Sequence, residues 1–312
     1  MNFVVTGAAG FLGSHLCEEL LSRGHEVTGV DSCVIGCRDN ISFLMNCPRF
    51  KFIEADLCRY PFPSLSHMDG IFHLASPTAP AETYKHPDMT LAVNYGVTEW
   101  LLEVAEFHAA KFLFASSVKV SDEHSFGSTY IKGKREGERL CMAADTKIAR
   151  MGNIYGPRMA ADDSRVIPTF LRNVRDGKPL VVWGDGQQVD SFCYVSDLIR
   201  GLIMFMLSAE RGVVEFGYPD GITVEGLAHT VINTLEVGTS IIYEQPGGGL
   251  AVVPLQGAMS NNRTTIALHA KSRKVPDISR ARDLFNWTPQ TSLPVGIRRT
   301  YEYYKTIARR AA

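Results

Sequence analysis

At 312 residues the chain is long enough to bury a large core, either as one α/β unit or as two closely joined domains. Its 32 Lys and Arg residues against 33 Asp and Glu residues give a net charge of −1. This balance offers no basic surface for nucleic acid, so we expect no nucleic-acid partner. No apolar run is long enough to cross a bilayer, so we expect no membrane partner.

The strand-like "NFVVTG" at the amino terminus shows neither the basic leader nor the apolar core of a signal peptide. Seven cysteines are scattered without CxxC pairs or any other metal-ligand spacing. In a chain of this size they are typical of reduced thiols. We therefore expect a cytoplasmic protein with no metal site.

Six short β-rich runs alternate with amphipathic stretches in the first half, a pattern typical of a parallel sheet covered by helices. Helices are predicted near 11–23, 88–108 and 128–144, where apolar residues recur every three or four positions. The strands are predicted at 3–6, 26–30, 50–54, 70–74, 111–115 and 147–151.

After about residue 152 this alternation weakens, helices become short, and the strands "PLVVW" and "VVEFG" stand isolated. We expect residues 153–312 to form mainly a smaller α/β substrate lobe, with some segments returning to the main domain at 1–152. The stretch 244–265 is Gly-rich and polar, which predicts a loop or an insertion in this lobe.

The stretch "VVTGAAGFLGSHL" places Gly7, Gly10 and Gly13 between the first strand and the first helix. Glycines there permit a tight turn, close approach of the backbone to a pyrophosphate, and close helix–strand packing, while the helix N-terminus supplies free N–H groups. The strand before, the helix after and an acid at the end of the next strand, Asp31, all agree with a dinucleotide site. We therefore predict a Rossmann-type, doubly wound sheet over 1–152.

Asp31 would accept hydrogen bonds from the adenosine ribose, and its charge would repel a 2′-phosphate, which favours NAD over NADP. Two alternatives stay open: Asp31 only caps a loop, or the nearby Arg38 accommodates that phosphate. Asp56 and Leu57, after the third strand, are expected beside the adenine. The stretch "HLAS" at 73–76 is expected to line the cofactor next to the fourth strand.

Further motifs follow the glycines in order: "IFHLASPTAP", "TLAVNYGVTEWLL", "FLFASS", "YIKGK", "GNIYGPRM", "DSRVIPTFLRNVRDGKPLVVWGDGQQ", "FCYVSDLIRGL" and "PDISRARDLFNWTP". With them the chain resembles the extended short-chain dehydrogenase/reductase family of NAD-dependent sugar epimerases, dehydratases and decarboxylases. The resemblance covers nearly the whole chain and is least at 244–265. Within that family the motifs most resemble those of the UDP-glucuronate decarboxylases.

The resemblance implies an oxidation site made of Ser117, Tyr130 and Lys134. Spacing of four residues puts Tyr130 and Lys134 on one helical face. A free Tyr has a pKa of about 10, and a nearby ammonium together with the cationic nicotinamide would lower it. Tyr130 would then take a proton from a sugar hydroxyl as hydride leaves the same carbon, with Ser117 bridging the hydroxyl and Tyr130. Lys134 would also bond the nicotinamide ribose.

The family pattern also implies which residues bind ligands, and it suggests a homodimer formed through the helices near 88–108 and 128–144. The cofactor set, besides Tyr130 and Lys134, is Gly7, Gly10, Phe11, Leu12, Gly13, Asp31, Arg38, Asp56, Leu57, Leu74, Ala75, Ser76 and Asn94. The substrate set is Ser76, Thr78, Ser117, Val118, Asn153, Arg165, Val166, Asp190 and Arg273.

The chain departs from the family pattern just after Ser117. Relatives carry an acidic or small residue and then "VYG", and a Glu or an Asp–Glu pair performs the second proton transfer. Here Val118 and Lys119 stand at the matching positions. Lys119 has three open roles: a solvated loop lysine, an anion-binding group, or the second acid/base if its pKa is lowered. Asp122, Glu123 and His124 are further candidates, although such charge runs are usually solvated.

A second departure is Asp190, where relatives have an Arg that contacts the nucleotide diphosphate or the sugar carboxylate. Two like charges about 4 Å apart repel by about 4 kcal/mol at an intermediate dielectric. Arg165, Arg273 or Lys274 could compensate for Asp190. Otherwise the substrate carries no diphosphate, as a nucleoside or a simple glycoside would, or Asp190 is only a surface acid.

Three functions are consistent with these residues. The first is an NAD-dependent dehydratase or epimerase acting on a sugar nucleotide or nucleoside through a transient C4 ketone, with 5,6-dehydration as one version. The second is a divergent UDP-glucuronate decarboxylase, and the third is a non-catalytic NAD(H)-binding regulator. The presence of Ser117, Tyr130 and Lys134 argues against the regulator, because a protein that only binds NAD(H) needs none of the three.

Overall fold

The computed structural model describes residues 1–59, 67–121, 128–160, 162–244 and 275–311. Seven parallel strands form its central sheet in the order β3-β2-β1-β4-β5-β6-β11. These strands are β1 Asn2–Thr6, β2 Glu26–Asp31, β3 Phe50–Glu54, β4 Gly70–His73, β5 Lys111–Ser117, β6 Lys147–Met151 and β11 Gly212–Phe216. The predicted Rossmann-type α/β fold and its six strands are confirmed.

Ten helices flank or follow these strands in the described part of the chain. They are α1 Phe11–Ser22, α2 Pro80–Lys85, α3 Pro87–Asn94, α4 Gly96–Phe107, α5 Thr129–Ala143, α6 Val166–Arg175, α7 Val195–Leu207, α8 Val224–Leu235, and two late helices, Ser279–Phe285 and Leu293–Ala311. Three two-stranded ladders complete the fold: β7 Asn153–Tyr155 with β10 Phe192–Tyr194, β8 Leu180–Trp183 with β13 Ile241–Glu244, and β9 Val189–Asp190 with β12 Ile222–Thr223.

Two hydrophobic cores lie on opposite faces of the sheet. Successive side chains of a strand point to opposite faces, and accordingly Val5 belongs to the core shared with α1 and α7, while Val4 belongs to the core shared with α4 and α5. Thr6 at the end of β1 lies beside Val30 of β2 and His73 of β4. The strand order reverses between β1 and β4, which is where doubly wound sheets bind ligands.

Two elements differ from the sequence prediction. The helix predicted near 88–108 is two helices, α3 and α4, because the backbone leaves helical geometry at Tyr95 (φ −113°, ψ −77°), just before the poor helix former Gly96. The strand at 212–216, isolated in the sequence pattern, pairs in parallel with β6 as the edge of the main sheet. Long-range pairing of this kind leaves no local signal in the sequence.

Helix α5 approaches its neighbours closely through glycines. A Cβ built on Gly137 would lie 2.4 Å from Cζ of Phe114 in β5 and 2.6 Å from the carbonyl oxygen of Asn94 in α3. A Cβ built on Gly133 would lie 3.2 Å from the carbonyl oxygen of Thr90 in α3. These glycines let α5 sit directly on the sheet, which brings its side chains to the carboxyl end of β5.

None of the helices in the described ranges is long and apolar enough to span a membrane.

We predict that Gly137→Ala lowers the free energy of unfolding by about 1–3 kcal/mol, because the added methyl group overpacks the contact with Phe114 and Asn94. Gly96→Ala is the matched control, since its Cβ would meet no atom within 4 Å. That change should leave stability unchanged or raise it by up to about 1 kcal/mol, because Ala is the better helix former. Denaturant titration of both variants measures the difference; equal stability would contradict the close approach of α5.

Candidate active site

The glycine-rich loop forms a cradle at the end of β1. Gly7 has φ +74°, and its N–H donates to the Val30 carbonyl at 2.8 Å. A Cβ on Gly7 would lie 2.9 Å from Cα of Ala75, and a Cβ on Gly13 would lie 2.0 Å from the Gly7 carbonyl oxygen. Gly10 is the N-cap of α1, which opens with Phe11 and Leu12. The bare backbone and the helix N-terminus fit a dinucleotide pyrophosphate.

Asp31 organises the loops on either side of this cradle. Its carboxylate accepts the Ala9 N–H and the Cys33 N–H, both at 2.9 Å. Burial raises the pKa of Asp31, whereas the backbone donors, Cys33 first, lower it. The capping role considered from the sequence therefore exists, and it holds the carboxylate at the carboxyl end of β2, where an adenosine ribose would meet it.

The groups expected at the adenine end lie near the carboxyl end of β3. Arg38 lies 3.3 Å from the Glu54 carboxylate, and its guanidinium stands 5.7 Å from the centre of the Phe52 ring. Asp56 accepts the Cys58 N–H at 3.0 Å. Leu57 lines a surface pocket of about 470 Å³ together with residues of α3 and α4. Because Glu54 neutralises Arg38, a 2′-phosphate would have to compete with that carboxylate.

A buried hydrogen-bonded chain supports the segment after β4. His73 Nε2 bonds the Val93 carbonyl at 3.0 Å, and Thr6 Oγ1 lies 2.7 Å from His73 Nδ1. Thr6 Oγ1 also accepts the Ala75 N–H at 3.2 Å. Burial lowers the pKa of His73 to about 3. A neutral His73 thus fixes the backbone of Leu74 and Ala75, as a support and not as a proton carrier.

The side chain of Asn94, near the segment after β4, contains a buried oxygen atom whose hydrogen-bonding capacity is unsatisfied. Its side-chain NH₂ donates to Ser76 Oγ at 2.9 Å and to the Thr90 carbonyl at 2.7 Å. Its Oδ1 is buried and has no hydrogen-bond partner among the residues that the structure describes. A buried acceptor without a partner is costly, and a bound ligand or water would relieve that cost. The orphaned atom and the glycine cradle together fit a cofactor.

Ser117 and Tyr130 meet at the carboxyl end of β5. Removal of the phenol from water raises the pKa of Tyr130, whereas a hydrogen bond with Ser117 and the charge of Arg165 lower it. We expected Lys134 to supply the lowering charge; in the structure Arg165 supplies it from the residue that precedes α6. Tyr130 is therefore protonated at neutral pH in the protein without cofactor.

Lys134 is held one helical turn beyond Tyr130. It is only 2% exposed, its Nζ donates to the Ala115 carbonyl at 2.6 Å, and Nζ stands 5.8 Å from the centre of the Tyr130 ring. Burial lowers its pKa to about 7, while Cys141 and Glu138 raise it. With a pKa of about 7 the Lys134 ammonium is only partly charged at neutral pH, which weakens its pull on the phenol and explains the difference from the sequence expectation.

The segment after Ser117 forms a single 3₁₀ turn, Val118–Ser121. The Lys119 N–H donates to Ser117 Oγ at 3.3 Å, and Arg135 Nε of α5 donates to the Val120 carbonyl at 2.9 Å. Lys119 therefore lies two residues beyond Ser117, half-buried, in a turn that is tied to α5. The other candidates for the second acid/base, Asp122, Glu123 and His124, lie outside the described residues.

The predicted substrate residues come from two directions. Arg165 binds the Asp163 carboxylate with Nε at 3.0 Å and Nη2 at 2.6 Å, directly before Val166 opens α6. Asn153 donates its side-chain NH₂ to Asp190 Oδ1 at 3.3 Å. Thr78 lies exposed on the loop before α2. Arg273 and Lys274 lie outside the described residues.

An ion pair next to Ser117, between the buried Glu138 and the partly buried Arg150, was missed by sequence reasoning. The Glu138 carboxylate accepts Ser116 Oγ at 2.6 Å and two Arg150 nitrogens, Nε at 2.8 Å and Nη2 at 2.7 Å. The signal was present, since Glu138 follows Lys134 by the same four residues that separate Lys134 from Tyr130. Within the described ranges, no three His, Cys, Asp or Glu side chains are grouped to hold a metal ion.

Comparison with known protein families matches this chain to two family models. The model described as the NAD dependent epimerase/dehydratase family matches residues 3–216, and the model of GDP-mannose 4,6 dehydratase matches residues 138–300. The first match includes the glycine loop, Ser117, Tyr130 and Lys134.

Known proteins similar to the chain carry out several sugar-nucleotide reactions. UDP-glucuronic acid decarboxylase 1 of Arabidopsis thaliana is 34% identical over 96% of this chain and 68% of the relative. A crystal structure of UDP-glucuronic acid 4-epimerase from Bacillus cereus, in complex with UDP-glucuronic acid and NAD, is 25% identical with a TM-score of 0.79, over 98% and 100% of the two chains. An NDP-hexosamine 5,6-dehydratase of tunicamycin biosynthesis shares the fold. It is 22% identical, with a TM-score of 0.78 over 98% of both chains.

We predict that Asp31→Asn weakens NAD binding about tenfold. The change should also reduce the ratio of NAD affinity to NADP affinity, because the neutral amide no longer repels a 2′-phosphate. Calorimetric titration of both dinucleotides measures the two dissociation constants. Asp39→Asn, an exposed change in the same loop region, is the control and should alter neither. Unchanged discrimination in Asp31→Asn would contradict a ribose-facing carboxylate.

Proposed function

The chain belongs to the NAD-dependent epimerase/dehydratase family, and we propose that it modifies a sugar nucleotide or nucleoside through a transient ketone at C4 of the sugar. NAD is its cofactor, and the enzyme is of the extended short-chain dehydrogenase/reductase type. The observation that carries the proposal is the contact between Ser117 and Tyr130, with Lys134 one turn behind, beside a glycine cradle.

Tyr130 is the base of the first step. Bound NAD would supply the acceptor for the hydride that leaves C4. Tyr130 takes the proton of the C4 hydroxyl, which leaves a ketone, and the hydrogen bond with Ser117 stabilises the phenolate that precedes this transfer. The charge of Arg165 favours that phenolate as well. Lys134, fixed on the Ala115 carbonyl, would meet the nicotinamide ribose.

The ketone determines which reactions can follow. It acidifies the C–H bond at C5, so that a C6 hydroxyl can leave in a 5,6-dehydration or the stereocentre can invert. A second acid/base is then needed near C5 and C6. Lys119 is the described residue that best fits this role, because the 3₁₀ turn holds it two residues beyond Ser117. A 5,6-dehydration needs no carboxylate on the sugar.

Divergent UDP-glucuronate decarboxylation is the second candidate. It is supported by the 34% identity with the Arabidopsis decarboxylase, and a C4 ketone is also what makes the C6 carboxylate of such a sugar able to leave. Against it stand Lys119 and Asp190, which replace an acid and a cation of the family pattern. Asp190, bonded by the Asn153 amide at 3.3 Å, would oppose a diphosphate or carboxylate with its own negative charge, so a substrate without a diphosphate would meet less repulsion.

We also propose a cytoplasmic homodimer. Helices α4 and α5 carry exposed apolar side chains, among them Phe107 at 86% and Met142 at 52% exposure, and a partner subunit would cover them. Light scattering of the purified protein tests the dimer.

Product analysis distinguishes the candidate reactions. The NAD-loaded enzyme is mixed with UDP-glucuronate, UDP-glucose or UDP-N-acetylglucosamine in deuterated water. A 5,6-dehydratase exchanges C5–H with solvent and loses water, whereas a decarboxylase releases carbon dioxide from UDP-glucuronate alone. If no sugar exchanges hydrogen or reduces the bound cofactor, the catalytic proposal fails and a non-catalytic NAD(H)-binding regulator is favoured.

Tyr130→Phe should reduce kcat by about 10²- to 10⁴-fold, because the general base is lost, while NAD binding stays within twofold of wild type. Steady-state turnover and calorimetric NAD titration measure the two quantities. Tyr243→Phe on the exposed strand β13 is the control and should leave both unchanged. Full turnover in Tyr130→Phe would exclude Tyr130 as the base.

Lys119→Met should slow product formation by about 10²-fold and leave the first hydride transfer intact, because only the second proton transfer needs Lys119. Stopped-flow absorbance of reduced cofactor separates the two steps. The matched control is Lys132→Met, an exposed lysine of α5. Wild-type product formation in Lys119→Met would show that Lys119 is a solvated loop lysine.

A further inference from the structure

We propose that the ion pair between Glu138 and Arg150 positions the catalytic turn at 117–121 by holding the residues at both of its ends. The inference rests on the proposed function, since it assigns Glu138 and Arg150 as positioning residues for Ser117 and Tyr130. Neither side chain needs to touch substrate or cofactor for this role.

Glu138 joins helix α5 to the residue before the turn. Tyr130, Lys134 and Glu138 follow one another at intervals of four on one face of α5. Glu138 is only 3% exposed, and its carboxylate accepts the hydroxyl of Ser116, the neighbour of Ser117, at 2.6 Å. The helix that carries the base is thereby bonded to the strand end that carries the base's partner.

Arg150 joins the same carboxylate to the far end of the turn. Its Nε and Nη2 donate to Glu138 at 2.8 and 2.7 Å, and its Nη1 donates to Ser121 Oγ at 3.1 Å. Nη1 also lies 3.9 Å from the carboxylate of Glu215, which accepts the Asp277 N–H at 2.9 Å. One planar guanidinium therefore links α5, the end of the turn and the edge strand β11, a geometry that a lysine cannot reproduce.

The ends of the turn matter because Ser117 lies inside it. Ser117 Oγ accepts the Lys119 N–H at 3.3 Å and is hydrogen-bonded to Tyr130. If Ser121 is released, the turn can unwind, and Ser117 then loses its fixed orientation toward the phenol. Lys119 would be displaced by the same movement, so both proton-transfer steps depend on the Glu138–Arg150 ion pair.

Glu138 has an electrostatic effect on the same face of α5. It raises the pKa of Lys134, after Cys141, against the larger lowering by burial. The carboxylate thus favours the ammonium next to Tyr130 while it holds the turn.

The test uses two variants of the NAD-loaded enzyme. Ser121→Ala removes only the contact at the far end of the turn and changes an exposed side chain, so it should fold normally. Arg150→Lys keeps the charge but cannot bond Glu138 through two nitrogens and Ser121 at once. The control, Arg139→Gln, breaks the exposed pair with Glu136, 3.0 Å long, on the outer side of the same helix.

Titration of Tyr130 is the readout that needs no substrate. Tyrosinate absorbance is followed against pH, and the curve of the Tyr130→Phe protein is subtracted. The groups that face Tyr130 are Ser117 from β5, Lys134 from α5 and Arg165 before α6. Because the Ser117 hydrogen bond lowers the pKa of Tyr130, both test variants should raise that pKa, and the control should leave it at the wild-type value.

Turnover of UDP-glucuronate is the second readout. We expect kcat to fall about tenfold in both variants, with the NAD dissociation constant equal to that of Arg139→Gln; the thermal midpoint of Ser121→Ala should equal that of Arg139→Gln as well. An unchanged Tyr130 titration in Ser121→Ala and Arg150→Lys would overturn the inference. If wild-type enzyme does not convert UDP-glucuronate, that substrate is excluded for the proposed function, whereas the titration still decides whether the ion pair positions the turn.

Discussion

The close approach of helix α5 to the sheet is the contact on which the rest of the site depends. Gly137 leaves room for the Phe114 ring of β5 and for the backbone of α3, so the helix packs closely against this strand. Every functional group of α5 then meets a partner at the carboxyl end of β5: Tyr130 meets Ser117, and Lys134 meets the Ala115 carbonyl. A helix held farther from the sheet would satisfy neither contact.

The same packing explains why the titration of these groups differs from that of free side chains. Burial raises the pKa of Tyr130 and lowers that of Lys134, so each group is driven toward its neutral form. Tyr130 is therefore a neutral phenol in the protein without cofactor. Arg165 and the Ser117 hydrogen bond favour the phenolate form, and a cationic nicotinamide would act in the same direction. Binding of the cofactor and activation of the base would thus be coupled by charge.

Local patterns were enough to predict the sheet, the glycine cradle and the Tyr130–Lys134 spacing, because each rests on residues close together in sequence. The parts that escaped prediction depend on distant contacts. The edge strand β11 pairs with β6 across 65 residues of sequence. The Glu138–Arg150 pair joins a helix to a strand. Arg165, whose charge lowers the pKa of Tyr130, comes from the C-terminal half of the chain. Spacing alone cannot reveal such partners, although Glu138 at four residues from Lys134 was a usable signal.

We propose that the hydride removed from C4 of the sugar returns to C4 in the same active site, which regenerates the oxidised cofactor at the end of the reaction. The most direct measurement follows a sugar nucleotide that carries deuterium at C4, UDP-glucuronate first, through complete turnover of the NAD-loaded enzyme. We predict that mass spectrometry and NMR find the deuterium retained at C4 of the product, since the reduced cofactor does not leave. A product that has exchanged its C4 deuterium for solvent hydrogen, or one formed without transient cofactor reduction, would contradict the claim.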